Sequence, residues 1–256
     1  MTLNPLPAFA DNYIWMVHDG QRALVVDPGD AQPVLDALRH DGVQLEAILV
    51  THHHLDHTGG IDTLRQATGA CVYGPAREPI PQPFTPLHGG TAIQVLGMTF
   101  DVLDVPGHTR GHIAYHCVNA QPSPLLFCGD TLFSAGCGRI FEGTPAQLQH
   151  SLGMLAALPG ATRVCCTHEY TLGNLKFAQE VEPDNATLIA YADVCRQLRA
   201  RGQPTLPSTI AQERAINPFL RTDVPTIVAA AQAHDGASVA SQGVFAALRE
   251  WKNQYR

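Results

Sequence analysis

Residues 51–57 read Thr-His-His-His-Leu-Asp-His, and four of the chain's thirteen histidines fall within the last six of these positions. The segment follows an apolar run over residues 47–50, read as a short buried strand. It precedes Gly59-Gly60 and a predicted helix over Ile61–Thr68 that Gly69 ends. A histidine tag belongs at a terminus, whereas this cluster sits between a strand and a helix. On an extended loop the alternating His52, His54 and Asp56 can point one way, and His57 can turn inward as the helix begins. Imidazole and carboxylate are the ligands that zinc and similar metals take in hydrolytic sites. The fold must therefore deliver this strand end to a metal centre.

Three later segments repeat the placement. Residues 101–105 run into Pro106-Gly107-His108-Thr109, 125–128 into Gly129-Asp130-Thr131, and 163–166 into Thr167-His168-Glu169. One buried strand that ends in one histidine is weak evidence. Four in order are strong, because ligand-bearing strand ends converge on one edge of a layered α/β fold. The surrounding pattern agrees. Strands are predicted at 13–18 and 22–27, joined by Asp19-Gly20-Gln21, and at 71–73, 92–96, 99–105 and 113–118. Helices are predicted at 33–40 and 147–158. Near residue 172 the apolar spacing turns helical, over 175–181, 187–200, 226–234 and 244–255, with a proline-rich loop at 202–207. No strand is expected after Thr167. The reading is an α/β domain over 1–172 and a smaller helical domain over 173–256.

The ligand count is informative. His52, His54, Asp56, His57, His108, Asp130 and His168 make seven, whereas one four-coordinate zinc needs three protein ligands and a water. Seven suit two divalent metals that share a carboxylate. Asp130 is the natural bridge, because His52/His54/His108 and Asp56/His57/His168 then form two sets of three. Two metals about 3.5–4 Å apart can hold a hydroxide between them at neutral pH. Zinc is the first expectation, and the same ligands suit iron or manganese.

The segment from Thr51 to His57 resembles the T-H-x-H-x-D-H signature of the metallo-β-lactamase superfamily, and the spacing to His108, Asp130 and His168 is also similar. The resemblance implies an αββα sandwich with the metals at one edge. That signature spans lactamases, lactonases, nucleases and thioesterases, so it specifies fold before substrate. A closer resemblance, over nearly the whole chain, is to the hydroxyacylglutathione hydrolases, or glyoxalase II. It is carried by Asp11-Asn12-Tyr13, by Gly129-Asp130-Thr131-Leu132-Phe133 with Ala135-Gly136-Cys137-Gly138-Arg139, and by Phe141-Glu142-Gly143-Thr144. Thr167-His168-Glu169-Tyr170-Thr171, Asn174-Leu175-Lys176-Phe177-Ala178, Asn217-Pro218-Phe219-Leu220-Arg221 and Arg249-Glu250-Trp251-Lys252 carry it further. The all-helical C-terminal domain is a feature of that family too.

The resemblance implies hydrolysis of an S-(2-hydroxyacyl)glutathione, chiefly S-D-lactoylglutathione, to glutathione and D-lactate, the second step of methylglyoxal detoxification. A hydroxide held by the metals is the implied nucleophile, with no further catalytic side chain. A thiol leaves with a pKa of about 8.5, so a strong general acid is not required. The family's glutathione contacts match Arg139, Phe141, Tyr170, Arg249 and Lys252 here. Arg139 stands where lysine is typical and Phe141 where tyrosine is often found, which changes one cation's geometry and removes one hydroxyl. Arg249 and Lys252 are three apart and share a helix face; a solvated basic helix end is the alternative. Asp27, in Val-Val-Asp-Pro-Gly, is a candidate to orient a metal-bound histidine from behind, with a turn-forming aspartate as the alternative; His112, four after His108, is a candidate supporting residue behind the ligands, with a structural histidine as the alternative. His53 and Glu169 are expected to point away from the metals.

Composition narrows the alternatives. The formal charge of −7 and pI near 6.0 do not suit a nuclease, which needs a basic, salt-sensitive surface. No apolar run approaches the roughly 18 residues that span a bilayer, and no signal segment is evident. Seven cysteines without C-x-x-C spacing read as buried free thiols in a reducing compartment. The expectation is a cytoplasmic monomer that acts on a small-molecule glutathione thioester, with no nucleic-acid or membrane partner. Another superfamily hydrolase, such as a lactonase or a nuclease, is one rival, and a persulfide dioxygenase is a closer one because it shares the motif and the glutathione theme. A mononuclear iron persulfide dioxygenase would use the His52/His54/His108/Asp130 type of set and lack the domain that carries Arg249 and Lys252. A non-catalytic metal-stabilised module would show closed coordination and no turnover.

Overall fold

The segment Asn-Tyr-Ile-Trp-Met-Val-His is apolar on both alternating faces, so a strand formed from it must be covered on both sides. In the computed structural model, which describes residues 1–255, this strand divides two cores. Tyr13, Trp15 and Val17 enter one, and Ile14 and Met16 the other.

The strand is β2 (Asn12–His18), after β1 (Thr2–Ala8) and before β3 (Arg22–Val26). Next come α1 (Ala31–Asp41), β4 (Gln44–Leu49), α2 (Leu55–Thr58), α3 (Ile61–Thr68), β5 (Cys71–Pro75) and β6 (Thr85–Leu87). These strands make a sheet in the order β1-β2-β3-β4-β5-β6. The second sheet uses β7 (Ala92–Val95), β8 (Met98–Asp104), β9 (Ile113–Cys117) and β10 (Leu125–Gly129). A hairpin follows, of β11 (Leu132–Phe133) and β12 (Gly136–Cys137), then α4 (Pro145–Ala156) and β13 (Arg163–Cys166). Beyond it lie α5 (Thr171–Val181), α6 (Ala186–Ala200), β14 (Ser208–Thr209), α7 (Ile210–Ile216), α8 (Pro225–Gln242) and α9 (Val244–Gln254). The second sheet runs β14-β13-β10-β9-β8-β7.

The sheets face each other across the larger core, where Trp15, Leu24 and Leu49 join Phe100, Tyr115 and Phe127. Two bonds cross it. Trp15 Nε1 donates to the Cys166 carbonyl at 2.9 Å, and Tyr115 Oη to the Val50 carbonyl at 2.9 Å. Val34 and Leu38 of α1 and Ile61 and Leu64 of α3 cover the outside of the first sheet. Leu148, Leu152 and Leu155 of α4 belong to the larger core. The architecture is the expected αββα sandwich with a C-terminal helical region.

Several boundaries move for local reasons. Asp30 accepts from Gln32 N and starts α1 two residues early, and the Thr144–Gln147 capping box does the same for α4. β1 and β6 escaped the sequence reading because Pro5, Pro7 and Pro86 lie in them; prolines are tolerated there because both are edge strands. The predicted helix over 226–234 continues to Gln242 across a break at Asp235. The expectation that no strand follows Thr167 is corrected: Ser208 and Thr209 pair antiparallel with Val164 and Arg163. Two residues carry no periodicity to read, and their pairing depends on a distant edge. Cys71 is exposed and so departs from the buried-thiol expectation, while the other six cysteines are buried and all seven are free. Among the described residues no helix is long and apolar enough to cross a membrane.

The helical region grips the hairpin that follows Asp130. Ala135 has φ +54 at the turn and is packed among Leu175, Leu188 and Ile216. Its N–H donates to buried Glu213 Oε2 at 2.8 Å, and burial raises the Glu213 pKa. Asn217 Nδ2 donates to the Phe133 and Gly136 carbonyls at 3.2 and 2.9 Å. Asn217→Ala leaves these buried carbonyls without that donor and is expected to destabilise the fold by about 1–3 kcal/mol. Chemical denaturation checks this; an unchanged midpoint would remove Asn217 from the account.

Candidate metal centre

Strand direction brings the candidate ligands to one edge. β3 and β4 are parallel and β2 antiparallel to β3, so the start of β2 and the ends of β3 and β4 lie together. By the same pairing logic the ends of β8, β10 and β13 share an edge with the start of β9. Main-chain bonds join the two edges: Ile113 N donates to Thr51 O at 3.0 Å, and Glu169 N to Asp11 O at 2.8 Å.

All seven candidate ligands meet there. His54 Nδ1 lies 3.0 Å from His52 Nε2 and 3.1 Å from His108 Nε2. On the other side His57 Nε2 and His168 Nε2 lie 3.5 and 3.4 Å from Asp56 Oδ2. Asp130 stands between them. Its Oδ2 is 3.4 Å from His108 Nε2, while its Oδ1 is 3.4 Å from His57 Nε2 and 3.3 Å from His168 Nε2. Gly129 makes this turn possible with φ +47, and a Cβ there would come 2.3 Å from Thr51 Oγ1.

Four histidines are held from behind, and the acceptors fix their tautomers. His57 Nδ1 faces Asp27 Oδ2 at 3.1 Å, His168 Nδ1 faces Asp11 Oδ1 at 2.8 Å, and His108 Nδ1 faces the Arg139 carbonyl at 2.8 Å. His52 Nδ1 lies 3.1 Å from Thr51 Oγ1, whose own proton goes to Asp27 Oδ2 at 2.7 Å. Each outer nitrogen therefore carries its proton outward, and each Nε2 presents a lone pair to the centre. His112 stacks on His52 with ring centroids 4.6 Å apart, and its Nε2 accepts from Asp130 N at 3.2 Å.

The cluster fits divalent cations. His57 Nε2 and Asp130 Oδ1 are buried without a hydrogen-bond partner, which is costly unless a cation satisfies them. A tetrahedral ion with bonds of about 2.0–2.1 Å sets its ligands about 3.3–3.4 Å apart, close to the spacings around Asp130. With protons alone as counter-charge, the groups polarise strongly. Burial would depress His57, but Asp130 and Asp27 outweigh it and raise the pKa to about 10. His168 is likewise raised to about 11 against its burial by the neighbouring Asp130 and Asp56 carboxylates. Burial would raise Asp130, yet His57 and His168 hold it well below the usual carboxylate range. His52 is driven far down by burial and by His57 and His112. Positive charge belongs here.

Beside the centre opens a cavity of about 670 Å³ lined by Arg139, Phe141, Tyr170, Arg249 and Lys252 together with His108 and Asp130. Tyr170 stacks flat on His168, with centroids 4.6 Å apart and planes 4° apart. Phe141 sets its ring edge-to-face with His54 and His108. Arg249 is 5% exposed, lies over Phe219 and donates from Nη1 to the Cys137 carbonyl at 3.0 Å, so it is no solvated helix end. Lys252 Nζ donates to the Gly173 carbonyl at 3.1 Å, and burial, then Arg249 and Arg139, lowers its pKa to about 8. His53 turns away to Glu78. Glu169 accepts from Tyr13 Oη and Thr205 N, which ties the first sheet to the helical region.

Sequence reasoning missed Asp11, Asn12 and Glu78. Asn12 Nδ2 donates to Asp56 Oδ2 at 3.1 Å. Asp11 and Asn12 were legible in principle, since an antiparallel β2 must begin at the edge where β3 ends. Glu78 lies in an irregular loop and carries no such signal.

Comparison with known proteins agrees with this geometry. Residues 9–168 match the family model of the metallo-beta-lactamase superfamily, and residues 169–255 that of the hydroxyacylglutathione hydrolase C-terminus. The hydroxyacylglutathione hydrolase of Albidiferax ferrireducens is 64% identical over 255 residues, which covers 100% of both chains. The crystal structure of ETHE1 from Myxococcus xanthus superposes with a TM-score of 0.66 at 23% identity, covering 98% of each chain. A protein crystallised in a di-iron-bound form superposes with a TM-score of 0.55 at 31% identity, over 64% of this chain and 91% of that one. The superfamily binds divalent metal, and the His/Asp cluster is where this chain can do so. Zinc at 1,000 times its dissociation constant is expected to stabilise the chelator-treated protein by about 4 kcal/mol. Thermal unfolding with and without the metal measures this, and coincident curves would count against a metal centre.

Proposed function

The chain belongs to the hydroxyacylglutathione hydrolase family of the metallo-β-lactamase superfamily, and from that premise we propose how its residues carry out thioester hydrolysis. Its activity is hydrolysis of an S-(2-hydroxyacyl)glutathione to glutathione and a 2-hydroxy acid. We take S-D-lactoylglutathione as chief substrate and D-lactate as product. The observation that carries the reading is the juxtaposition of a seven-ligand His/Asp cluster with a cavity lined by three cations.

Two divalent metals are proposed, which His52, His54 and His108 and Asp56, His57 and His168 would hold, with Asp130 shared between the two sets. Zinc is the first choice, and the di-iron-bound relative keeps iron in view. When bound, the metals supply Lewis acidity, which brings the pKa of water toward neutrality and polarises the thioester carbonyl. The remaining work falls to side chains. Asp27, Asp11 and Thr51 hold the ligand imidazoles in aim. Phe141 and Tyr170 present ring surface beside the reacting centre, against His54 and His168.

Arg139 and Lys252 attract the glutathione carboxylates. Arg249, braced against Cys137, adds its charge to the same wall. This positive field also stabilises the departing thiolate, which needs no proton donor. The first domain thus supplies the metal ligands together with Arg139, Phe141 and Tyr170 of the cavity wall, and the helical domain adds Arg249 and Lys252. One copy holds every group the reading uses, so a monomer suffices. Seven unpaired thiols suit the cytoplasm.

The deciding experiment is hydrolysis of S-D-lactoylglutathione with metal content measured on the same sample. The expected result is kcat/KM above about 10⁴ M⁻¹s⁻¹ with about two metals per chain; turnover absent despite two metals would discard the substrate. Asp130→Ala is expected to lose metal from both sets and nearly all activity, and an active variant that retains two metals would refute the bridge. Lys252 is charged below its pKa of about 8 and neutral above it. The pH profile of kcat/KM should therefore fall as pH rises through about 8. Lys252→Arg should flatten that fall, and an identical profile in the variant would exclude Lys252 from binding.

A further inference from the structure

The loops that present His54 and His108 meet at a residue with no ligand role, Glu78. Its side chain is 1% exposed, and both oxygens are fully used. Oε1 accepts from Thr109 Oγ1 at 2.5 Å and Gly111 N at 2.8 Å. Oε2 accepts from His53 N at 2.9 Å and also from His53 Nδ1. His53 immediately precedes His54, and Thr109 immediately follows His108. One carboxylate thus spans the two ligand loops, each within a single residue of its ligand. Gly111 is part of the fit, since a Cβ there would come 2.7 Å from Glu78 Cγ.

The dependence is unequal across the centre. His54 has no hydrogen bond from its ring nitrogens outside the ligand cluster among the described residues, so its aim is set through its main chain. That chain is pinned on one side by Glu78 at His53. On the other side His57 N and Thr58 N donate to the His54 carbonyl at 3.0 and 3.1 Å. His57, His168 and Asp56 are held by Asp27, Asp11 and Asn12 and make no contact with Glu78. The clamp reaches one layer further. His53 Nε2 lies 3.5 Å from Glu142 Oε1, and Glu142 Oε2 accepts from Arg110 N at 3.0 Å. Glu142 adjoins Phe141, whose ring covers His54 and His108.

We propose that Glu78 is a positioning residue, linked through His53, that sets the separation of His54 and His108 and so tunes one half of the metal centre. The inference rests on the binuclear reading above. Glu78→Gln keeps the shape but puts an amide NH₂ in place of one acceptor oxygen, facing a donor, so one arm of the clamp is broken with little change in volume.

The test is metal binding by competition with a chromophoric chelator, using zinc. Cobalt(II) titration read by visible absorption and thermal unfolding of the metal-free chains accompany it. In Glu78→Gln one of two metals should weaken 10- to 100-fold and the other less than threefold. The cobalt spectrum of the weakened site should change, and kcat should fall more than KM rises. Asp11→Asn should show the reverse selectivity, weakening the other metal. If Glu78→Gln does not fold, Thr109→Val and His53→Ala each remove part of the clamp and should give the same selective loss in smaller measure.

Unchanged affinity for both metals, or equal weakening of both alongside a lowered metal-free melting temperature, would overturn the proposal. Wild-type protein that binds a single metal would instead overturn the binuclear reading. The Glu78 proposal would then stand or fall on whether the variant weakens that metal relative to wild type.

Discussion

The carboxylate of Asp27 is the joint on which the centre hangs. It follows β3 with φ +53, a left-handed conformation that aspartate tolerates better than most residues. It accepts from Thr51 N and Oγ1, both at 2.7 Å, and from His57 Nδ1 at 3.1 Å. Thr51 in turn orients His52. One buried acidic group thus fixes the chain after β4, the candidate ligand His52 and the helix that carries His57. An isolated carboxylate at 1% exposure would be costly, and these bonds are what keep it there.

The same device recurs wherever distant segments meet. Glu169 joins the first sheet to the helical region, Glu213 holds the hairpin after Asp130, and Glu78 ties the two loops beside His54 and His108. Each accepts backbone N–H groups that irregular loops would otherwise bury unpaired. This explains how a centre built from loops can be rigid. The loops are anchored by charge-assisted bonds, and the packed sheets behind them fix the anchors.

The site was largely legible because strand ends carry short, local signals. The His52–His57 cluster and the single candidate ligands His108, Asp130 and His168 each follow an apolar run that reads as a buried strand. Asp27 and His112 were suspected from their neighbours. The weaker readings failed for identifiable reasons. β1 was hidden by its prolines, and β14 is too short to show a period. Arg249 looks like a surface residue on a helical face until α9 packs against Phe219 and the Cys137 carbonyl. Glu78 lies far from any motif, and its importance comes wholly from residues 25 to 33 positions away.

By itself the sequence determined the kinds of atom available for metal binding, the order of the main strands and helices, and the resemblance that points to a glutathione thioester. Those properties are local: alternation, helix periodicity and ligand chemistry are written within a few residues. The tertiary structure decided which oxygen of Asp130 faces which histidines and which nitrogen faces inward on the four histidines held from behind. It also decided that three cations of the helical region and the hairpin share one cavity. Those properties depend on the angle at which loops from two sheets meet, and that angle is set by packing between residues a hundred or more positions apart, such as Trp15 against Cys166.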